Sequence, residues 1–152
     1  MDALMSFRRF ALLIPLFAAP LAARETVGAF ATWAAFCDEP RQCFAISEPL
    51  EQTRHPFLSV AIQGATPIVQ VNLGRPARAA TLAIGDLKVD LAVNGAEARA
   101  DARTSRRIVA AMRERETLTV VGTSARGGRF RHHYLLAGAP SAIDAAAIAA
   151  MR

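Results

Sequence analysis

Three histidines, two cysteines and a few paired carboxylates are the residues of this 152-residue chain whose chemistry could carry a reaction. His132 and His133 are neighbours in a stretch that alternates like a β-strand. Their side chains therefore fall on opposite faces and cannot share a metal ion. His55 precedes Pro56 in a loop-like segment. Carboxylates cluster only as Asp38-Glu39 and as Glu114 with Glu116, the pattern of solvated faces rather than of an acid–base couple. No serine sits in a G-x-S-x-G elbow, and Gly127-Gly128 is too short for a phosphate cradle and does not precede a helix. No catalytic residue, metal ligand or cofactor site is assigned, and the chain reads as non-enzymatic.

What the cysteines mean depends on compartment. Arg8 and Arg9 precede an uncharged run over residues 10–23, broken by Pro15 and Pro20 and ending in Leu21-Ala22-Ala23. A membrane-spanning helix needs about 20 apolar residues, so a shorter run with a small residue at its end predicts a cleaved secretory signal over residues 1–23. One domain over residues 24–152 follows, without a stable membrane anchor, in the periplasm or outside the cell. In an oxidising compartment Cys37 and Cys43 read as a disulfide across the base of a short turn. Closing so small a ring contributes about 2 kcal/mol. A C-x-x-C redox motif needs two intervening residues, and no further metal ligands stand nearby.

The net charge of +5 rests on 18 basic residues, all arginine except Lys88. Arg99, Arg103, Arg106 and Arg107 form one cluster, and Arg126, Arg129 and Arg131 crowd one turn. Interspersed acids make these ordinary soluble faces; the sharper alternative is an anion patch for surface polysaccharide or phospholipid headgroups. An exported domain makes nucleic acid a poor partner.

Alternation with a period of two dominates the chain. Leu58, Val60 and Ile62 oppose Ser59, Ala61 and Gln63; Val69, Val71 and Leu73 oppose Gln70 and Asn72; Leu87, Val89, Leu91 and Val93 oppose Lys88 and Asp90. Each pattern predicts a strand with one face in the core and the other in water. Gly85-Asp86 and Asn94-Gly95 have hairpin-turn composition, and Arg126-Gly127-Gly128 separates strands over residues 117–123 and 129–136. Upstream, residues 27–36 and 43–47 read as strands flanking the bridged loop. Two short helices complete the set. Ser105 would cap the first, with Ile108, Val109 and Met112 as its stripe. The second starts near Ser141, with Asp144 in capping-box spacing, and runs to the C-terminus. About eight strands with frequent turns predict a mainly β fold, an antiparallel sandwich or barrel-like domain.

Several segments, in order, resemble the invasion-associated locus B family of small exported alphaproteobacterial proteins. They are Gly28-Ala29-Phe30 with Trp33 before Cys37, Cys43-Phe44-Ala45-Ile46, Pro56-Phe57 with Val60, and Thr81-Leu82 with Ile84-Gly85. Ile108-Val109-Ala110-Ala111-Met112-Arg113, Tyr134 with Leu136-Ala137-Gly138, and Ala142-Ile143-Asp144-Ala145-Ala146 follow. The chain departs from the broader family in its short Cys37–Cys43 loop and in having no cysteine near its C-terminus, as in a compact branch. The resemblance implies a periplasmic or secreted β-rich domain without known catalytic residues, in a family named for host-cell invasion. Trp33 reads as a core anchor beside the disulfide, with a ligand-stacking aromatic as the alternative. The expected function is binding of an envelope protein, surface glycan or host-cell surface. The alternatives are a structural or stress-related periplasmic component and a hydrolase with an unrecognised site.

Overall fold

The computed structural model describes residues 24–39 and 41–152. The signal reading falls on residues 1–23 and lies outside the described residues, as does Pro40 of the bridged loop. The elements in chain order are β1 (Glu25–Phe30), β2 (Trp33–Glu39), β3 (Gln42–Ser47), β4 (Phe57–Gln63), β5 (Thr66–Asn72) and β6 (Ala77–Ile84). They continue with β7 (Leu87–Asn94), β8 (Glu97–Arg99), α1 (Ala102–Met112), β9 (Thr117–Ser124), β10 (Arg129–Leu135) and α2 (Ala139–Ala150). All neighbouring strands are antiparallel, in a ten-stranded sheet of order β1-β2-β3-β4-β5-β8-β7-β6-β9-β10. The mainly β class with a second helix at the C-terminal end is thus as expected.

The cross-strand register explains where the core lies. Trp33, Ser47, Leu58 and Val71 form one row; Ala35, Ala45, Val60 and Val69 form the next. All eight are buried. Strand side chains alternate between faces, so these rows mark the inner face of the sheet. The small Ala35 and Ala45 leave that face shallow, and α2 packs over β1–β4 with Ala139, Ala142, Ile143 and Ala146 buried in the same core. The first helix packs mainly on β5.

The ends of the sheet are brought together by groups that are not strands. The Trp33 indole N–H donates to the Leu135 carbonyl of β10 at 2.9 Å, and the Thr32 hydroxyl donates to the carbonyls of Leu135 and Ala137. In the β3–β4 connection, the Leu50 amide donates to the His133 carbonyl at 2.8 Å, and the His133 amide donates to the Glu51 carboxylate at 2.8 Å. The outer edge of β10 is thereby covered without a pairing strand, which is how a rolled sheet avoids an open edge.

Several local expectations are corrected. Residues 27–36 are not one strand: a two-residue turn at Ala31-Thr32 splits them, with Ala31 at φ 52°. Asp101, not Ser105, caps α1, its carboxylate accepting from the Thr104 amide at 2.7 Å. Those hydrogen bonds lower the Asp101 pKa. Ser105 is fully buried one turn later, where its hydroxyl accepts from the Val69 amide and donates to the Ala100 carbonyl, suturing α1 to β5. The capping box at Ser141 is absent: α2 begins at Ala139 behind Gly138, and Asp144 instead pairs with Arg113 at 2.6 Å. That pairing raises the Arg113 pKa and lowers that of Asp144. Trp33 is a core anchor, but it stands at the opposite end of β2 from Cys37 and secures the seam rather than flanking the bridge.

Gly138 sits where β10, the Phe30 backbone and α2 meet. It has φ 87°, and a Cβ there would lie 1.9 Å from the Phe30 carbonyl oxygen. Gly127 shares the left-handed conformation, with φ 97°, but a Cβ there meets nothing within 4 Å. Gly138→Ala is expected to cost about 3 kcal/mol in urea denaturation, whereas Gly127→Ala costs about 1 kcal/mol from backbone conformation alone. Equal losses for the two variants would show that the Phe30 contact contributes nothing.

Candidate functional site

On the outer face of β2–β5 the alternation places residues that water does not explain. The register aligns Phe36, Phe44, Ala61 and Ile68 in one row, Ala34, Ile46, Ser59 and Gln70 in the next, and Phe57 with Asn72 in a third. The expectation that Ser59 and Ala61 face water is corrected: both are buried, as is Ile68. Flanking half-buried rings wall them in, so this half of the sheet is apolar on both faces. The β6–β7 half keeps an ordinary wet surface, with Thr81 half-exposed and Lys88 and Asp90 exposed, and the Thr81 hydroxyl donating to Asp90.

The rows form a trough of ≈ 340 Å³ with Phe36, Phe44, Ile46 and Phe57 as its apolar walls. Phe36 and Phe44 stack with ring centroids 5.4 Å apart, and the Arg24 guanidinium lies 5.7 Å from the Phe36 centroid. Arg24 is held at the rim by Asp38 at 2.9 Å, an exposed pair of small energetic weight. Gln70, Asn72 and Glu97 supply further polar groups. Cys37 and Cys43 are joined by a disulfide and face each other across β2 and β3, with Cα atoms 4.0 Å apart. They lie one residue along each strand from Phe36 and Phe44, on the opposite face. The bridge therefore fixes the two strands that carry the stacked rings. Such a surface can bind by stacking and hydrogen bonding. No histidine, cysteine or lysine lines it.

The other sequence candidates are dispersed. His132 points inward and is buried, with its Nδ1 lacking a hydrogen-bond partner; burial lowers its pKa, the Arg75 charge lowers it further, and Glu51 opposes both. His133 points outward and meets the Glu51 carboxylate. Burial alone would raise the Glu51 pKa, but hydrogen bonds from the His133 backbone and ring outweigh it and hold the carboxyl below its usual range. Tyr134 is fully buried and its hydroxyl pKa is raised by desolvation. His55, Glu114 and Glu116 are exposed; the two glutamates are near neighbours between α1 and β9, whereas His55 belongs to the β3–β4 connection. Gly127-Gly128 forms the β9–β10 turn, where the Ser124 hydroxyl accepts from the Gly128 amide. Among the described residues, no group of three or more histidine, cysteine or carboxylate side chains is placed to hold a metal ion.

Sequence reasoning missed the trough because it assigned each strand one wet face. The available signal was that Phe36 and Phe44 alternate with the two cysteines, so that β2 and β3 carry apolar residues at both parities.

No family model matches the chain, and no curated protein matches it in sequence. In fold it is similar to the crystal structure of invasion associated protein B from Bartonella henselae, with a TM-score of 0.60 and 18% identity. The match covers 78% of this chain and 93% of that one. The chain shares the fold of an invasion-associated protein.

Proposed function

We propose that the chain is an exported, non-enzymatic binding protein of the invasion-associated locus B family that engages a protein partner through the outer face of β2–β5. The observation that carries this reading is the trough walled by Phe36, Phe44 and Phe57, on a sheet already packed on its other side. Aromatic residues with a flanking arginine are the composition of protein-binding hot spots, and Arg24 stands beside Phe36. The likeness to invasion associated protein B supports the family assignment, and the ordered segments from Gly28 to Ala146 add to it. A surface glycan is the second reading, favoured by Gln70, Asn72, Asp38 and Glu97 around the rings. Export to the periplasm or beyond is supported by the disulfide and by the leader-like residues 1–23. Among the described residues, no helix is long and apolar enough to cross a membrane.

Two measurements test this reading. N-terminal sequencing of the protein recovered from cell fractions is expected to find a mature chain starting near Arg24 in the periplasm or medium; an intact chain in the cytoplasm contradicts export. Phe44→Ala with Phe57→Ala should weaken capture of envelope proteins by the immobilised domain at least ~30-fold, since truncating an aromatic anchor typically costs about 2 kcal/mol. Thermal denaturation of the double variant controls for folding. Unchanged capture by a folded double variant rejects the trough as the interface, and binding confined to a glycan array selects the second reading.

A further inference from the structure

At one end of the roll, three connections that are distant in sequence meet. Arg54 of the β3–β4 loop, Arg75 of the β5–β6 link and Arg126 of the β9–β10 turn line one cavity of ≈ 350 Å³, together with Ser124. No carboxylate lines it, and none of the three arginines forms an ion pair among the described residues. Gathering guanidinium groups without a counter-charge is unfavourable in the empty protein, so the arrangement favours an anion.

The cavity is built rather than incidental. Gly122 and Phe130 are cross-strand partners, and a Cβ on Gly122 would fall 2.2 Å from the Phe130 ring, so the ring lies over the glycine. The Arg75 guanidinium stacks on that ring, 4.9 Å from its centroid. Its Nε is buried and has no hydrogen-bond partner. Stacking holds the planar guanidinium without using its in-plane donors, which stay available to an oxyanion. Arg54 and His55 are consecutive non-glycine residues at positive φ, 67° and 50°. The Arg54 carbonyl abuts Gly74, where a Cβ would lie 2.7 Å from it, so the two loops are locked together. Arg78 secures the third loop by donating from Nε to the Ala125 carbonyl at 2.9 Å.

We propose that this cavity binds a phosphate monoester, with the three guanidinium groups around the dianionic phosphate and the Ser124 hydroxyl as a further donor. Bidentate, charge-assisted hydrogen bonds to phosphate are what planar guanidinium groups form best. The volume exceeds that of one phosphate ion, which leaves room for the esterified group. The inference is independent of the trough, which opens on a different set of residues.

Nuclear magnetic resonance titration of the folded protein at constant ionic strength tests it, using inorganic phosphate, glucose 1-phosphate and vesicles containing phosphatidate as separate probes. The Arg75 Nε–H signal is expected to shift and saturate with inorganic phosphate and more tightly with whichever ester is the natural source, soluble or lipid. Arg54→Gln with Arg126→Gln, both exposed positions, should weaken the response at least ~10-fold, while Arg129→Gln with Arg131→Gln leaves it unchanged. In Arg75→Gln the backbone amide signals of Ser124 and Arg126, which shift with phosphate in the parent, should no longer respond, and the exposed pair keeps the test valid if that variant unfolds. A response matched by chloride, or one equally reduced by the Arg129 and Arg131 changes, overturns the site in favour of general charge attraction.

Discussion

A rolled antiparallel sheet must dispose of the backbone groups along its last strand, and here a tryptophan does much of that. The Trp33 indole N–H reaches the Leu135 carbonyl from the far side of the sheet, and the Thr32 hydroxyl joins it there. Both side chains come from one hairpin, because the Ala31-Thr32 turn places them at the start of β2. The Ser47 hydroxyl donates to the Thr32 carbonyl at 2.7 Å, fixing the turn from the next strand. With that seam in place, residues 48–52 lie along β10, where Leu50 and Glu51 meet His133. The same connection then leads to Arg54 and Phe57, one residue lining the basic cavity and the other the aromatic trough. Both candidate sites thus depend on a segment that the seam holds in register.

Above this frame the two faces of β2–β5 have divided labour. The strands under α2 carry the small, buried Ala35 and Ala45 on their inner face, and α2 is itself mostly alanine. The outer face carries rings that no element of the described chain covers. The Cys37–Cys43 bridge belongs to the inner face but acts on the outer one, since it holds the two strands whose adjacent residues stack. A cross-link at that place restrains a surface as much as it restrains the unfolded chain.

What the sequence made legible was whatever depends on near neighbours. The hairpin at Gly85-Asp86, the β9–β10 pair and the inner faces of β4 and β5 follow from turn chemistry and alternation and stand where these place them. The hairpin expected at Asn94-Gly95 turns one residue later, at Gly95-Ala96, with Asn94 paired to Glu97. The Ala31-Thr32 turn carries no glycine, asparagine or proline; contacts from β3 and β10 impose it. Ser105 and Ser141 look alike as potential caps, yet one is drawn into the core by the Val69 amide and the other is displaced by Gly138, whose missing side chain admits the Phe30 carbonyl. The arginines show the same limit. Proximity in sequence groups Arg126 with Arg129 and Arg131, whereas topology groups it with Arg54 and Arg75.

The claim that the seam positions both sites is tested most directly by amide hydrogen exchange in the native protein and in Trp33→Phe, which removes the indole donor while keeping an aromatic ring. Slow exchange at the Leu50 and His133 amides is expected in the parent, with both losing protection together in the variant and β6–β7 amides unaffected. Rapid, loop-like exchange at Leu50 in the parent protein, or protection there that ignores the loss of the indole, would contradict it.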